Sequence, residues 1–512
     1  MNAFTQIIEQ LIAAVPASSW LESRFFSFRH LPHPQSRLFD ACIFKKDASG
    51  ALGFIWIEFE GEKELLTFPF RLARYSEDGD LISLSPWSLR EASADSALHE
   101  AWRKAFKQKS HMVTAQGREF RIRSAQGDAP VLALGIHNDG INAYVRLETM
   151  ETIKIFRTLS HEPSGTLEVA TLEHLSKQSS FLQYPQLISV HEYCFNESDY
   201  GHVAATTQYI QNSGNLWQEM TSLLQQARFP QIMHERSGQE SWNKVLSYAE
   251  SLGRLLGEFH RSMTFIWDRT LTDPEPNTAV TRERWLYNIE IKLTERINDL
   301  ALMRPKYSGY GPLLDKIPEF GHALFERVSA IQNPGLRIRT HGNLHLGQVL
   351  LNQENLFLID FATDTSDGDN YRLQKQTCLK DLAAAILSIK YAWYTTERGN
   401  YSPIFEDFID KESQFGQRFV RQKTTPLSLP YSPSLIEIQN LLLKYYVSNV
   451  SEHANSAELI PTDKSDFDAL LSFCLFMRII KETNRDFKAG NPRCKINLRL
   501  LSEFLRERRN LS

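Results

Sequence analysis

The stretch on which the fold turns runs from Arg337 to Asp364 and reads R-I-R-T-H-G-N-L-H-L-G-Q-V-L-L-N-Q-E-N-L-F-L-I-D-F-A-T-D. A polar cluster, His341 to Gln348, leads directly into the apolar run Val349-Leu350-Leu351. Asn352-Gln353-Glu354-Asn355 then makes a polar turn, and a second apolar run, Leu356 to Ile359, ends on Asp360. Two short apolar runs about a four-residue polar turn predict a buried β-hairpin. Folded in that way, the hairpin returns Asp360 to the loop that holds Asn343 and Gln348.

Phosphoryl transfer needs such an arrangement, because it is mostly positioning and neutralisation of charge. One loop residue orients the acceptor hydroxyl, an amide five positions later holds a magnesium ion, and a carboxylate after the next strand holds it from the other side. Gln348 and Asp360 fit the two metal roles, and Asn343 stands where a proton-accepting Asp is expected. His341 and His345 complete the catalytic group. The competing reading is an ordinary hairpin whose histidines satisfy backbone groups. Against it stand the order and spacing of H-G-x-x-H-x-x-Q, apolar strand, turn and I-D-F.

The segment resembles the catalytic loop of the aminoglycoside-phosphotransferase-like kinases, and His345-Leu346-Gly347-Gln348-Val349-Leu350 is similar to that of the maltokinases. Those bacterial enzymes place the γ-phosphate of ATP on the anomeric hydroxyl of maltose, and some are fused to trehalose synthase. They usually show H-G-D where this chain has His341-Gly342-Asn343, and I-D-F-E-G where it has Ile359-Asp360-Phe361-Ala362-Thr363. Thr152-Ile153-Lys154-Ile155-Phe156-Arg157 resembles their I-L-K-L-F-R strand, and Lys380-Asp381-Leu382-Ala383 their R-D-V-A. Trp20 to Phe26 resembles the R-W-F segment that opens their cap domain. Lys481 to Arg485 resembles their final E-K-A-x-Y-E helix, whereas their N-N-R-P-D-W becomes Gly490-Asn491-Pro492-Arg493. The likeness is strongest between 337 and 390 and thin before 130.

What the resemblance implies is an α+β, bilobal, protein-kinase-like fold. It would comprise an N-terminal cap domain over 1–110, an antiparallel-sheet small lobe over 111–211 and a mostly α-helical large lobe over 212–512. It further implies ATP and Mg2+ as cofactors, a small-molecule sugar such as maltose as acceptor, and trehalose synthase or another enzyme of α-glucan metabolism as a partner. The two departures in the catalytic centre, Asn343 and Ala362, open a second reading: a pseudokinase that binds a nucleotide or sugar, or acts as a scaffold.

Within the small lobe, Lys154 on a strand and Glu168 in the first turn of a helix over Thr166–Lys177 are placed to form the ion pair that aims an ammonium at nucleotide phosphates. Tyr184–Ile188 and Ala204–Ile210 read as its last strands. Gln208, Tyr209 and Gln211 would form the hinge whose backbone meets the adenine. Asn212-Ser213-Gly214-Asn215 is a turn that marks the lobe boundary. His137 to Asn142 is a turn-rich loop that could cover the phosphates, although it lacks G-x-G-x-x-G, and the glycines of Ser308-Gly309-Tyr310-Gly311-Pro312 read as a turn.

Elsewhere the pattern is periodic. Phe4, Ile7, Ile8, Leu11 and Ile12 share one helical face; Leu38–Phe44, Gly53–Phe59 and Glu64–Leu72 read as strands, and Ser93–Lys107 as a helix. Val245, Ala249, Leu252, Leu256 and Phe259 line a core helix ending near His260, a histidine read as structural. Asp381 is expected to cap its helix and orient the catalytic loop. Residues 396 to 433, with four prolines, read as a mobile insertion.

The 512 residues, 42% hydrophobic, predict two or three domains. A net charge of -4, from 57 basic and 61 acidic residues, offers no electrostatic case for nucleic acid or an anionic membrane. Five scattered cysteines without C-x-x-C spacing suggest a reducing compartment and no zinc site. No signal-peptide pattern and no run of roughly 18 apolar residues appears. A cytoplasmic location is the expectation.

Overall fold

The computed structural model describes residues 3–14, 35–60, 64–74, 82–84, 86–93, 95–106, 111–124, 133–138, 142–147, 150–159, 166–177, 180–228, 235–267, 270–303, 310–361, 371, 373–396, 433–451, 458–491 and 493–507. Outside them lie the Trp20–Phe26 segment, residues 139–141 of the loop expected over the phosphates, Ser308-Gly309, Ala362-Thr363 and residues 397–432 of the expected insertion. The fold is α+β and kinase-like. It divides into two compact units, one of residues 1–177 and 185–211, the other of 178–184 and 212–512.

The first unit is built on two antiparallel sheets. One contains β1 (Ser36–Asp47), β2 (Gly50–Phe59), β3 (Leu65–Ala73), β4 (Ile82–Leu84) and β5 (Trp87–Glu91) in the order β1-β2-β3-β5-β4. The other contains β6 (His111–Val113), β7 (Glu119–Ser124), β8 (Ala133–Asn138), β9 (Asn142–Leu147), β10 (Glu151–Phe156), β12 (Leu187–Cys194) and β13 (Tyr200–Gln208), in the order β6-β7-β12-β13-β10-β9-β8. The chain switches sheets at Arg157, since β11 (Thr158–Leu159) pairs with β3. The first sheet therefore takes a strand from beyond residue 110.

The strand expected over Gly53–Phe59 forms as β2, and nearly all of it is buried. Ile55, Ile57 and Phe59 pack toward Ile8, Leu11 and Ile12 of α1 (Ala3–Ala14). Phe54 and Trp56 pack on the opposite side with Trp102 and Phe106 of α2 (Ser96–Phe106) and with Phe120 of the second sheet. Both faces are covered, so the strand reads as a continuous apolar run. The strands β4 to β7 were not read from the sequence: they are short, and although Glu119-Phe120-Arg121-Ile122-Arg123 alternates, it holds only two apolar residues among three charges.

Asp40, fully buried on β1, joins the sheets. One oxygen accepts from Ala41 N at 2.7 Å and Gln116 N at 3.0 Å, the other from Thr114 Oγ1 and Tyr193 Oη, both at 2.6 Å. Burial and this bond push the Tyr193 hydroxyl up, which keeps it a donor.

The second unit is helical: α4 (Leu216–Arg228), α5 (Glu235–Ser262), α6 (Ala279–Met303), α7 (Ile317–Ala330), α8 (Leu379–Thr396), α9 (Pro433–Ser451), α10 (Lys464–Ala489) and α11 (Cys494–Glu507). Glycines let α5 and α9 touch: a Cβ on Gly253 would lie 2.5 Å from Leu442 O, and one on Gly257 2.6 Å from Asn449 Oδ1. Two short pairs of strands interrupt the helices. β14 (Arg337–Ile338) pairs with β17 (Gln376–Thr377), and β15 (Val349–Asn352) with β16 (Asn355–Leu358). The hairpin forms, but Asn352 pairs with Asn355, so its turn has two residues rather than four; Gln353 takes it with a φ of 57°. No described helix is long and apolar enough to cross a membrane, and the five cysteines are buried free thiols.

Asp40→Ala should leave four donors facing a cavity without an acceptor. At about 1–3 kcal/mol for each unsatisfied buried group, offset where water enters, a loss of about 3 kcal/mol or more is expected, read as a lowered urea midpoint. An unchanged midpoint would show that Asp40 does not join the sheets.

Candidate active site

In the second unit, the residues around Asn343 are held by one carboxylate. Asp381, fully buried near the start of α8, accepts from His341 N at 2.6 Å through Oδ2 and from Gly342 N at 3.0 Å through Oδ1. Burial acts to raise its pKa, but the hydrogen bond and charge of His260, the charge of His341 and the Gly342 amide outweigh this and hold it below the usual carboxylate range. The orienting contact expected of Asp381 is present. Helix capping falls elsewhere, because Asp381 sits inside the first turn: Leu379 N donates to Thr377 Oγ1 at 3.4 Å.

Gly342 turns the loop with a φ of 79°, a value that suits glycine. Asn343, partly exposed, makes no side-chain hydrogen bond to the described residues, so its amide is free to meet a ligand. Both histidines engage the backbone. His341 Nε2 donates to Ile359 O at 2.9 Å, tying the loop to the end of the hairpin. His345 Nδ1 accepts from Gly347 N at 3.1 Å and caps the short 3-10 turn Leu346–Gln348, while Ser388 Oγ on α8 accepts from Leu346 N at 3.0 Å. Burial, with the charges of His341 and Arg478, lowers the His345 pKa to about 4.

That turn aims Gln348 at Asp360. Ile359 N donates to Gln348 O at 3.0 Å, and Gln348 Nε2 donates to Asp360 Oδ2 at 2.8 Å. Asp360 has a φ of 61°, a left-handed conformation of the strained kind that collects at functional sites. Buried guanidiniums brace the surroundings. Arg337 binds Glu275 at 2.9 Å, and Arg339 donates to Leu271 O, Leu373 O and Gln374 O. Burial lowers the Arg339 pKa to about 10.

In the first unit, Lys154 Nζ lies 2.6 Å from Glu168 Oε2, both side chains being more than nine-tenths buried. The pair expected from the sequence is formed. Lys154 is on β10, and Glu168 is in the first turn of α3 (Leu167–Ser176). No side chain of α3 caps that helix; instead Thr166 N donates to His202 Nδ1 on β13 at 3.0 Å. Arg123 on β7 holds the other half by pairing with Glu173 and with Glu192, which is fully buried on β12. His202 and Arg123 had no sequence signal, being 36 and 50 residues from their partners in α3.

At the expected hinge, Gln208 N donates to Gln186 O at 2.8 Å and Tyr209 N to Met150 O at 2.7 Å. Both amides are therefore engaged inside the first unit. The Tyr209 ring lies under Arg146, 4.2 Å from its guanidinium carbon, and Gln208 and Gln211 are exposed.

His345 makes the site acid-sensitive. Its folded pKa, about 4, lies below the ordinary value of about 6.5. The unfolded chain thus takes up a proton that the folded chain refuses; this stability is complete above about pH 6.5 and lost as pH falls toward 4. Between pH 7 and pH 5, His345→Gln, which keeps an acceptor for Gly347 N, should lose about 1–2 kcal/mol less than wild type in urea unfolding. Equal losses in the two proteins would overturn a buried, neutral ring.

No protein-family model matches the chain. Among solved structures, it is similar to a glucosamine kinase, with a TM-score of 0.60 at 15% identity over 98% of each chain. It is also similar to the glucosamine kinase in complex with glucosamine, ADP and inorganic phosphate, with a TM-score of 0.58 at 15% identity over 98% of each chain. At this identity the likeness is one of fold, and the fold it shows is that of the bilobal kinases.

Proposed function

We propose that this chain is an ATP- and magnesium-dependent phosphotransferase acting on a hydroxyl of a small sugar, maltose giving maltose 1-phosphate or a related mono- or disaccharide. The observation that carries the reading is the Gln348–Asp360 contact of 2.8 Å, made by residues 12 positions apart on a loop clamped by a buried carboxylate. A sugar acceptor is supported by the glucosamine in the similar complex. The maltokinase-like motifs favour maltose, a cytoplasmic setting, and trehalose synthase or another enzyme of α-glucan metabolism as the partner.

The residues fit a hard cation. The carboxylate of Asp360 and the side-chain amide oxygen of Gln348, brought together by their 2.8 Å contact, are oxygen donors of the kind such a cation takes. Among the described residues no group of three or more His, Cys, Asp or Glu converges on a metal site. One carboxylate and one amide suit a magnesium ion that arrives with nucleotide phosphates rather than a resident metal. Gln348 and Asp360 would hold it, and the ion would supply neutralisation of charge on the transferred phosphoryl group.

Lys154, held by Glu168, offers an ammonium to the phosphates. Asn343 donates to or accepts from the acceptor hydroxyl and orients it, but has no basic atom to take its proton. His345 is a poor substitute, because its Nδ1 is occupied by Gly347 and its pKa is about 4. A loose transition state builds little charge on the attacking oxygen, so orientation alone sustains slow transfer. The pseudokinase reading rests on the same Asn343.

Two measurements separate the readings. In a thermal-shift titration, Mg-ATP at 100 times its dissociation constant should stabilise the protein by about 2.7 kcal/mol. No shift at millimolar nucleotide would remove both the kinase and the nucleotide-binding pseudokinase. Asn343→Asp supplies a proton acceptor and should raise turnover of maltose with ATP by about 10²–10⁴-fold. If both forms bind nucleotide yet are inert toward a panel of sugars, the pseudokinase reading replaces the kinase.

A further inference from the structure

Behind Asp381 the structure continues a line of fully buried polar groups that no role above requires. His260 Nε2 on α5 lies 3.2 Å from Asp381 Oδ2, and His260 Nδ1 lies 2.9 Å from Tyr446 Oη on α9. His260 and Tyr446 are 0% exposed and Asp381 1%. A buried polar line of this length is costly unless every atom is matched.

The proton pattern follows from the partners. The amides of His341 and Gly342 can only donate, so the carboxylate of Asp381 can only accept. The imidazole therefore donates Nε2–H to Asp381 and sets Nδ1 against the Tyr446 hydroxyl. Tyr446 thereby holds the ring of His260, His260 holds the carboxylate, and the carboxylate holds the two amides immediately before Asn343.

Tyr446 is itself set by backbone contact. It lies where α5 and α9 touch, and a Cβ on Gly253 would come within 3.0 Å of Tyr446 N. We propose that Tyr446 and His260 are positioning residues for the loop that carries Asn343, so that α9, nearly one hundred positions later in the chain, helps set the geometry at the acceptor hydroxyl. This rests on the reading of residues 341–348 as the phosphoryl-transfer loop, while the placement of that loop is testable without turnover.

The test is amide hydrogen exchange by mass spectrometry on the full chain, following overlapping peptides across residues 337–348, α5 and α9. In Tyr446→Phe, which removes one hydroxyl and keeps the ring, exchange at His341 and Gly342 should rise by about tenfold while the two helices keep wild-type protection. His260→Leu should do the same. His260→Gln, whose amide can still donate to Asp381 and accept from Tyr446, should stay within about threefold of wild type. Unchanged loop exchange in Tyr446→Phe and His260→Leu would overturn the proposal, as would a rise shared equally by the loop and both helices. A wild-type protein that shows these effects but no Mg-ATP shift would remove the function proposed above and leave the positioning line standing.

Discussion

The contact of the Asp381 carboxylate with the amides of His341 and Gly342 is the constraint from which the catalytic-loop geometry follows. A carboxylate with 1% exposure is tolerated only when its lone pairs meet donors, and here two amides and an imidazole meet them. Two successive amides can point at one group only if the backbone bends sharply, which the left-handed Gly342 allows. The bend turns the His341 ring toward Ile359 O, and this bond holds the end of the hairpin beside the loop. Asp360 follows Ile359 directly. One charge on α8 thus governs the placement of Asn343, Gln348 and Asp360.

The first unit solves a parallel problem by other means. Lys154 and Glu168 are buried together, and a buried ion pair is weak evidence for stability, since apolar residues of the same volume often serve as well or better. Its value lies in direction. Helix α3 lacks a side-chain cap of its own and borrows His202 from a strand, while Arg123 holds Glu173 further along. With both parts of the helix tied to one sheet, Glu168 has little freedom, and neither has the ammonium it holds.

Much of this was legible in the sequence. Val349-Leu350-Leu351 and Leu356 to Ile359 announce the hairpin because a buried two-stranded unit needs two apolar runs and a turn, and the reach from Gln348 to Asp360 follows from strand length alone. The turn was misread because Asn352 and Asn355 are polar enough to look like loop, yet they pair across it. The contacts of Asp381 with His260 and of His260 with Tyr446 span 121 and 186 positions. Periodicity carries no trace of such pairings, because each residue is an isolated polar position on an otherwise apolar helix face. The amphipathic pattern of α5 locates its core stripe without saying which neighbour meets His260. Short charged strands such as β7 escape for the opposite reason: Glu119-Phe120-Arg121-Ile122-Arg123 alternates, but two apolar residues are too few to stand out, and its arginines answer a glutamate elsewhere in the fold.

The residues around Asn343 therefore combine a closely held frame with departures from the maltokinase-like pattern at 343 and 362. Losing a general base costs about 10²–10⁴ in rate, roughly 3–5 kcal/mol of a barrier that positioning and charge neutralisation also lower. Frame residues are a different matter, because they tax the folded state whether or not anything is bound. Replacing buried ionic groups by apolar ones is often neutral or stabilising by about 1–4 kcal/mol. A loop with no ligand to hold would gain from an apolar residue at 381, from an apolar pair at 154 and 168, and from an Asp360 relaxed out of its left-handed conformation. This chain has none of these. Strain is kept at Asp360 and buried charge at Asp381, Lys154 and Glu168, while the sequence departs from the maltokinase-like pattern at Asn343 and Ala362. Buried charge and strain of this kind are what the proposed function accounts for by ligand binding, with the rate of transfer as the quantity that Asn343 would alter.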